Sequence, residues 1–267
     1  MLRSMFAAIS GLRVNQTMLD VTGNNIANSN TTGYKSANVV FQDTLSQMLT
    51  AGGAPTATRG GTNPVQIGLG VQVGATTTNF TQGSAQTTGK PTDLMINGDG
   101  FFVVERDGER LYTRAGAFKL DGNGDLTTVD GDYVLDANNA RVNIDLNDPR
   151  DLKSFNVDVN GRIVGQYANG GPQPIATLGI ADFANPMGLE KVGDSLYRQT
   201  TGSGAAQIGT AGEGRRGQIA AGQLEMSNVD LAAEFTNLIL AQRGFQANSR
   251  VITTSDQVLE DLVNIKR

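Results

Sequence analysis

A chain of 267 residues with a net charge of −5 is long enough for one large or two modest domains, and its charge argues against a broad basic face for nucleic acid. Cysteine and histidine are both missing, which excludes disulfides, thiolate chemistry, Ser-His-Asp triads and the usual zinc sites. Hydrophobic residues at 39%, 34 glycines and no tryptophan fit turn-rich β structure, and no stretch reaches the ~18 apolar residues of a membrane helix, so membrane insertion is not expected.

The opening "MLRSMFAAISGLRVNQ" carries a positive residue and a short apolar run. Ser10 and Gly11 break that run and no small-residue cleavage site is evident, so a cleaved signal peptide is not expected. Counting in sevens gives Met5, Leu12, Leu19 and Ile26, with Leu2, Ile9, Gln16 and Gly23 as companions, a 3,4 pattern that predicts an amphipathic helix. "NNIANSNTTGYK", residues 24 to 35, then crowds asparagines where the helix should continue. Asparagine serves caps and left-handed turns better than helix interiors, so the helix is expected to stop near Ala27 or Asn28, with Gly33 supplying positive φ. Val39, Val40, Phe41, Leu45, Met48 and Leu49 predict a short second helix from about Ala37 to Met48, completing an N-terminal helical segment over 1–49. The Gly, Thr and Pro-rich stretch that follows predicts a flexible connector or extended arm over 50–67.

From 68 to 222 the apolar period becomes two. "FFVVERDGERLYTR" is expected to turn at Asp107-Gly108, "FKLDGNGDLTT" between Leu120 and Leu126, and "SFNVDVNGRIVG" at Asn160-Gly161. Without βαβ alternation, this predicts a central antiparallel β domain, a barrel or small sandwich. "DGNGD", residues 121–125, begins like a calcium loop, but Leu126 takes the glycine position and no glutamate closes it, so it reads as a turn. "NGDGFF", residues 97–102, lacks the dinucleotide spacing and a following helix. No metal, cofactor or catalytic residue is assigned.

Residues 223–267 predict a second helical segment. "SNVD" at 227–230 offers cap residues, Glu234 suits the first turn, and Leu231, Leu238, Phe245, Ile252 and Leu259 form an unbroken seven-residue series. Its companion positions are Phe235, Gln242, Ser249, Asp256 and Val263. The stripes allow two readings: the terminal helices pair and pack against copies of themselves, or they form an ordinary intramolecular core. Phe6, Ile239 and Leu262 widen the stripe beyond what a lone pair can cover. The assembly reading assigns the seam to Leu2, Met5, Ile9, Leu12, Leu19, Ile26, Leu231, Phe235, Leu238, Phe245, Ile252 and Leu259. The whole is α+β and discontinuous, with a coiled-coil-like pair of terminal helices around the β domain.

These termini, "SGL" at 10–12, "NNIANSNTTGYK" at 24–35 and "SNVDLAAEFTNLILAQRGFQANSRVITTSDQVLEDLV", closely resemble the bacterial flagellar hook and rod family of axial proteins, with a weaker match through "GDGFFVV" and "LYTRAGAF". The resemblance implies a helical homopolymer with terminal helices inside and β domains outside. It also implies contacts with other axial proteins (rod, hook–filament junction, hook cap), and export uncleaved by the flagellum's own apparatus to the hook or basal body. It assigns Asn24, Asn25, Ile26, Ala27, Asn28, Gly33, Tyr34 and Lys35 to an N-terminal joint motif, and Gln242, Arg243, Phe245, Asn248 and Ser249 to a C-terminal one. "FQDTLSQML" and the last helix resemble hook, which transmits torque from rod to filament, whereas the length matches a distal rod subunit; judged on motifs, hook is the expectation and rod the alternative. A surface adhesin would need an anchor that "LVNIKR" does not offer, and a glycan-acting enzyme would need a buried carboxylate pair and more aromatic surface than five tyrosines provide.

Overall fold

The computed structural model describes residues 2–55, 58, 60–144, 152–168 and 171–265. The chain forms two compact units: a terminal unit of Met1–Ala27, Ala37–Thr78 and Asp230–Arg267, and a central unit of Asn28–Ser36 and Asn79–Val229. The chain therefore passes between them four times, at 27/28, 36/37, 78/79 and 229/230.

In the terminal unit, α1 (Leu2–Ala27) packs against α2 (Leu231–Ile265). The pair is antiparallel, since Gly11 faces Asn248, Gly244 faces Asn15, and Asn25 meets Glu234. Asp230 caps α2 by accepting the Ala232 and Ala233 N–H groups at 2.9 and 3.3 Å. The helix expected over 37–48 is absent: β1 (Ala37–Asp43) pairs with β4 (Val71–Thr78), and β2 (Ser46–Thr50) pairs with β3 (Val65–Gly68). A bridge between Gly53 and Thr62 continues the same antiparallel run, so the stretch expected as a connector is the far end of one long ribbon. Val39, Val40 and Phe41 are consecutive β-formers, and a short apolar run of that kind has no period of its own; pairing with a distant partner decides it. The ribbon also carries β structure across the expected border at 68, with 71–78 held in the terminal unit by β1.

The central unit contains β5 (Ala85–Thr87), β6 (Leu94–Asn97), β7 (Phe101–Arg106), β8 (Glu109–Thr113), β9 (Lys119–Leu120), β10 (Leu126–Thr127), β11 (Tyr133–Val134), β12 (Leu152–Val157), β13 (Arg162–Tyr167), β14 (Gly171–Thr177), β15 (Ile180–Asp182), β16 (Glu190–Gly193), β17 (Leu196–Arg198), β18 (Gln207–Gly209), β19 (Gln218–Ala221) and β20 (Gln223–Glu225). Nine of them make an antiparallel sheet that runs β16-β17-β8-β7-β11-β10-β9, with β15 joining β7 to β18. A second sheet is β12-β13-β14, while β19 pairs with β6 and β20 with β5. Among the described residues the order does not close into a barrel. Strand β7 is buried on both faces, because alternation sends Phe102 and Val104 into one core with Leu94, Ile96 and Ile163, and Phe101 and Val103 into another with Tyr112, Phe183 and Tyr197. The turns fall where glycine permits them: Asp107 and Gly108 both have positive φ between β7 and β8, and Gly161 has φ +78 before β13. Residues 121–125 form a turn laced by Asn143, whose amide donates to the Asn123 carbonyl and to Asp125.

Candidate functional site

α1 ends at Ala27, and the asparagine that follows its last apolar positions explains why. Asn25 is 1% exposed. Its Nδ2 donates to the Ala37 carbonyl at 2.8 Å and to Glu234 Oε1 at 3.0 Å, while its Oδ1 accepts the Ala37 N–H at 3.0 Å. The side chain thus acts as a peptide group would, joining the end of α1 to the starts of β1 and α2. Asn28 then begins the turn, with its carbonyl accepting the Thr31 N–H.

Gly33, Tyr34 and Lys35 are buried in the central unit. Gly33 has φ +68, and a Cβ there would lie 2.5 Å from the Ala115 nitrogen, so both conformation and space require glycine. Its N–H donates to the Glu225 carbonyl at 2.8 Å. The Lys35 ammonium meets Glu225 Oε1 at 2.6 Å and the Thr81 carbonyl at 2.8 Å, and neither charged side chain has any exposed surface. Glu225 Oε1 also accepts the Gly83 N–H at 2.9 Å, and Arg114 Nη1 lies 3.5 Å from Oε2. Burial pushes the pKa of Lys35 down despite Glu225, and lowers that of Arg114 as well. Arg114 lies over the Phe101 ring at 5.3 Å, which provides electron density to a cation withdrawn from water. From the other side Lys191 donates to the Lys35 carbonyl at 3.1 Å and stands 4.7 Å from the centre of the Tyr34 ring. The joint motif is therefore a buried, charge-stapled segment.

The residues expected on the assembly seam divide into two groups. Met5, Ile9, Leu12, Leu19, Ile26, Leu238, Ile252 and Leu259 are half-buried, while Leu231, Phe235 and Phe245 are exposed; Leu2 opens α1 but its side chain lies outside the described residues. The helix pair itself meets through a neighbouring stripe of small and polar residues: Ala8, Gly11, Asn15, Thr22 and Asn25 on α1, and Glu234, Ala241, Gly244 and Asn248 on α2. A Cβ at Gly11 would come within 2.6 Å of Asn248 Nδ2, and one at Gly244 within 2.6 Å of Asn15 Oδ1, so the helices approach where side chains are missing. These residues also follow a 3,4 spacing, a signal legible in the sequence but hidden by counting large apolar residues alone. Of the C-terminal motif, Asn248 enters this contact and Ser249 is half-buried, whereas Gln242 and Arg243 are exposed; Asn24 and Ala27 are exposed as well. Sequence reasoning missed Arg114, Glu225, Asn228 and the pairing role of Glu234, because each partner lies far away along the chain.

Large apolar side chains are left open very unevenly. Among the described residues, the central unit exposes Val129, Val159, Met187 and Val192, while the terminal unit exposes Phe6 at 67%, Leu45 at 83%, Phe235 at 51% and many more along α2 and both edges of the ribbon. Such a surface on paired helices marks an assembly face rather than a catalytic site.

Known proteins agree with this geometry. Residues 5–35 match the model described as flagella basal body rod protein, 95–165 that of the flagellar hook protein FlgE/F/G D1 domain, and 220–265 that of the flagellar basal body rod FlgEFG protein C-terminal. The chain is 47% identical over 268 aligned residues to the flagellar basal-body rod protein FlgG of Bacillus subtilis, covering 100% of both chains. In Borreliella burgdorferi the flagellar basal-body rod protein FlgG is 37% identical over 272 residues and the flagellar hook protein FlgE 29% over 441, each alignment covering 100% of both chains. The chain belongs to the bacterial flagellar rod and hook family. It is a structural subunit of the flagellum, and not an enzyme.

Proposed function

We propose that this chain is a distal rod subunit of the flagellar basal body, which polymerises through its terminal unit into a rigid helical tube that carries torque outward. The observation that carries this reading is length at full coverage: rod relatives align over 268 and 272 residues, while the hook relative needs 441, so the hook chain contains long segments with no counterpart here. The hook expectation rested on terminal motifs. Those motifs are helix-packing residues that serve rod and hook alike, so they specify the family and leave the member to the outer domain. The exposed apolar face of α1, α2 and the ribbon supports self-association, with the seam residues Phe235 and Phe245 open to a second copy. Other axial proteins are its expected neighbours at either end of the tube, and export without a cleaved signal its expected route. Complementation tests the assignment: expression should restore motility to a strain lacking its FlgG and leave a strain lacking FlgE non-motile, and the reverse outcome would return the chain to the hook.

A further inference from the structure

The four passages between the units are tied together on both sides by asparagine side chains. On the central side, Asn228 Oδ1 accepts the Ser36 N–H at 2.8 Å, and its Nδ2 donates to the Asn79 carbonyl at 2.8 Å and to the Thr81 carbonyl and hydroxyl at 3.1 Å. The Asn79 N–H in turn donates to the Ser36 carbonyl at 2.8 Å. One amide thus joins the segments that leave at 36, 79 and 228. On the terminal side Asn25 joins α1, Ala37 and Glu234, and Ala37 is paired with Thr78 at the end of the ribbon. Each passage is held within a few residues of where it crosses.

We propose that Asn25 and Asn228 are positioning residues of a two-sided clamp, which makes the four passages move as one stiff coupling instead of four independent hinges. The amide is suited to this because it offers a donor and an acceptor without charge, so it can stand in for a strand partner on both sides at once. A single crossing peptide is free about two dihedrals per residue, whereas four crossings tied at both ends leave no residue free to turn alone. Resting on the rod reading above, the clamp is what allows torque applied to the helices to reach the β unit without being absorbed by the linkers.

The test uses the full chain in solution, before any assembly, so its outcome does not depend on whether the chain builds rod or hook. The chain has no cysteine, so Asn38→Cys and Val159→Cys accept a spin-label pair, one on each unit. The unsubstituted background should give one narrow distance distribution, and Asn228→Ala or Asn25→Asp should broaden it. Amide exchange at Ser36 should accelerate on the order of tenfold in Asn228→Ala, the scale of one lost hydrogen bond. Asn25→Asp sets a carboxylate against Glu234, and adding Glu234→Gln restores a donor between them, so the double variant should narrow the distribution again. A merely structural role would not respond to that rescue. A broad distribution in the unsubstituted background, unchanged widths in both variants, or failure of the rescue while both units still melt cooperatively overturns the clamp.

Discussion

Glu225 holds more of the central unit together than any residue beside it in sequence would suggest. It faces two buried cations, Lys35 and Arg114, and its own backbone receives Gly33. The two sides of this cluster are not equivalent. Removing Lys35 leaves the carboxylate with Arg114, while removing Glu225 leaves two cations buried together. Glu225→Ala should therefore destabilise the central unit by about 3–5 kcal/mol, the usual cost of stranding a buried charge, and Lys35→Met by distinctly less. All five tyrosines lie in the central unit, so tyrosine fluorescence during urea unfolding reads this ordering directly. Equal losses would mean that Arg114 does not support Glu225. The glycine of the joint was legible as a turn because its φ requirement is local, whereas the charges were not, since Lys35 and Glu225 stand 190 positions apart.

At the scale of elements, the helix pair is set by what is missing from it. Gly11 and Gly244 sit against Asn248 and Asn15, and that reciprocal arrangement holds one antiparallel register. Gly11→Val and Gly244→Val together should cost about 1–3 kcal/mol by overpacking. Circular dichroism at helix wavelengths would show an earlier thermal transition, while tyrosine fluorescence keeps its midpoint. Coincident shifts in both signals would show that the units do not melt separately. The heptads in α1 and α2 were readable, as were the hairpins at Asp107-Gly108 and Asn160-Gly161, because period and turn chemistry are local properties. The ribbon was not. Whether Val39 to Phe41 becomes helix or strand is decided by Val71 to Thr78, more than thirty positions on, which offer backbone partners.

For the molecule as a whole, the uneven distribution of exposed apolar surface is the basis of assembly. Phe235 is already open to solvent, so replacing it should leave the isolated chain's melting unchanged, yet each copy forfeits a contact worth ~1.5–3 kcal/mol wherever that ring would be buried. Phe235→Asp should raise the concentration needed for polymerisation at least tenfold, measured by sedimentation and electron microscopy. Leu238→Asp is the contrasting case: that side chain is half-buried in the isolated chain, so both polymerisation and the helix transition should suffer. Polymerisation of Phe235→Asp at the original concentration would remove this face of α2 from the assembly surface.

Taken alone, the sequence determined the class of molecule. Missing cysteine and histidine removed most catalysis, the heptads marked two terminal helices, alternation and Asn-Gly or Asp-Gly turns marked the β region, and the terminal motifs pointed to the axial family. Each is a local signal, carried by residues a few positions apart. Only the tertiary structure decided which stripe joins the helices, that 37–78 is a ribbon, and that Asn25, Lys35, Asn228 and Glu225 tie the passages between units. Those outcomes depend on contacts between residues distant in the chain, where burial turns a polar side chain from an ordinary surface group into one that must find a partner.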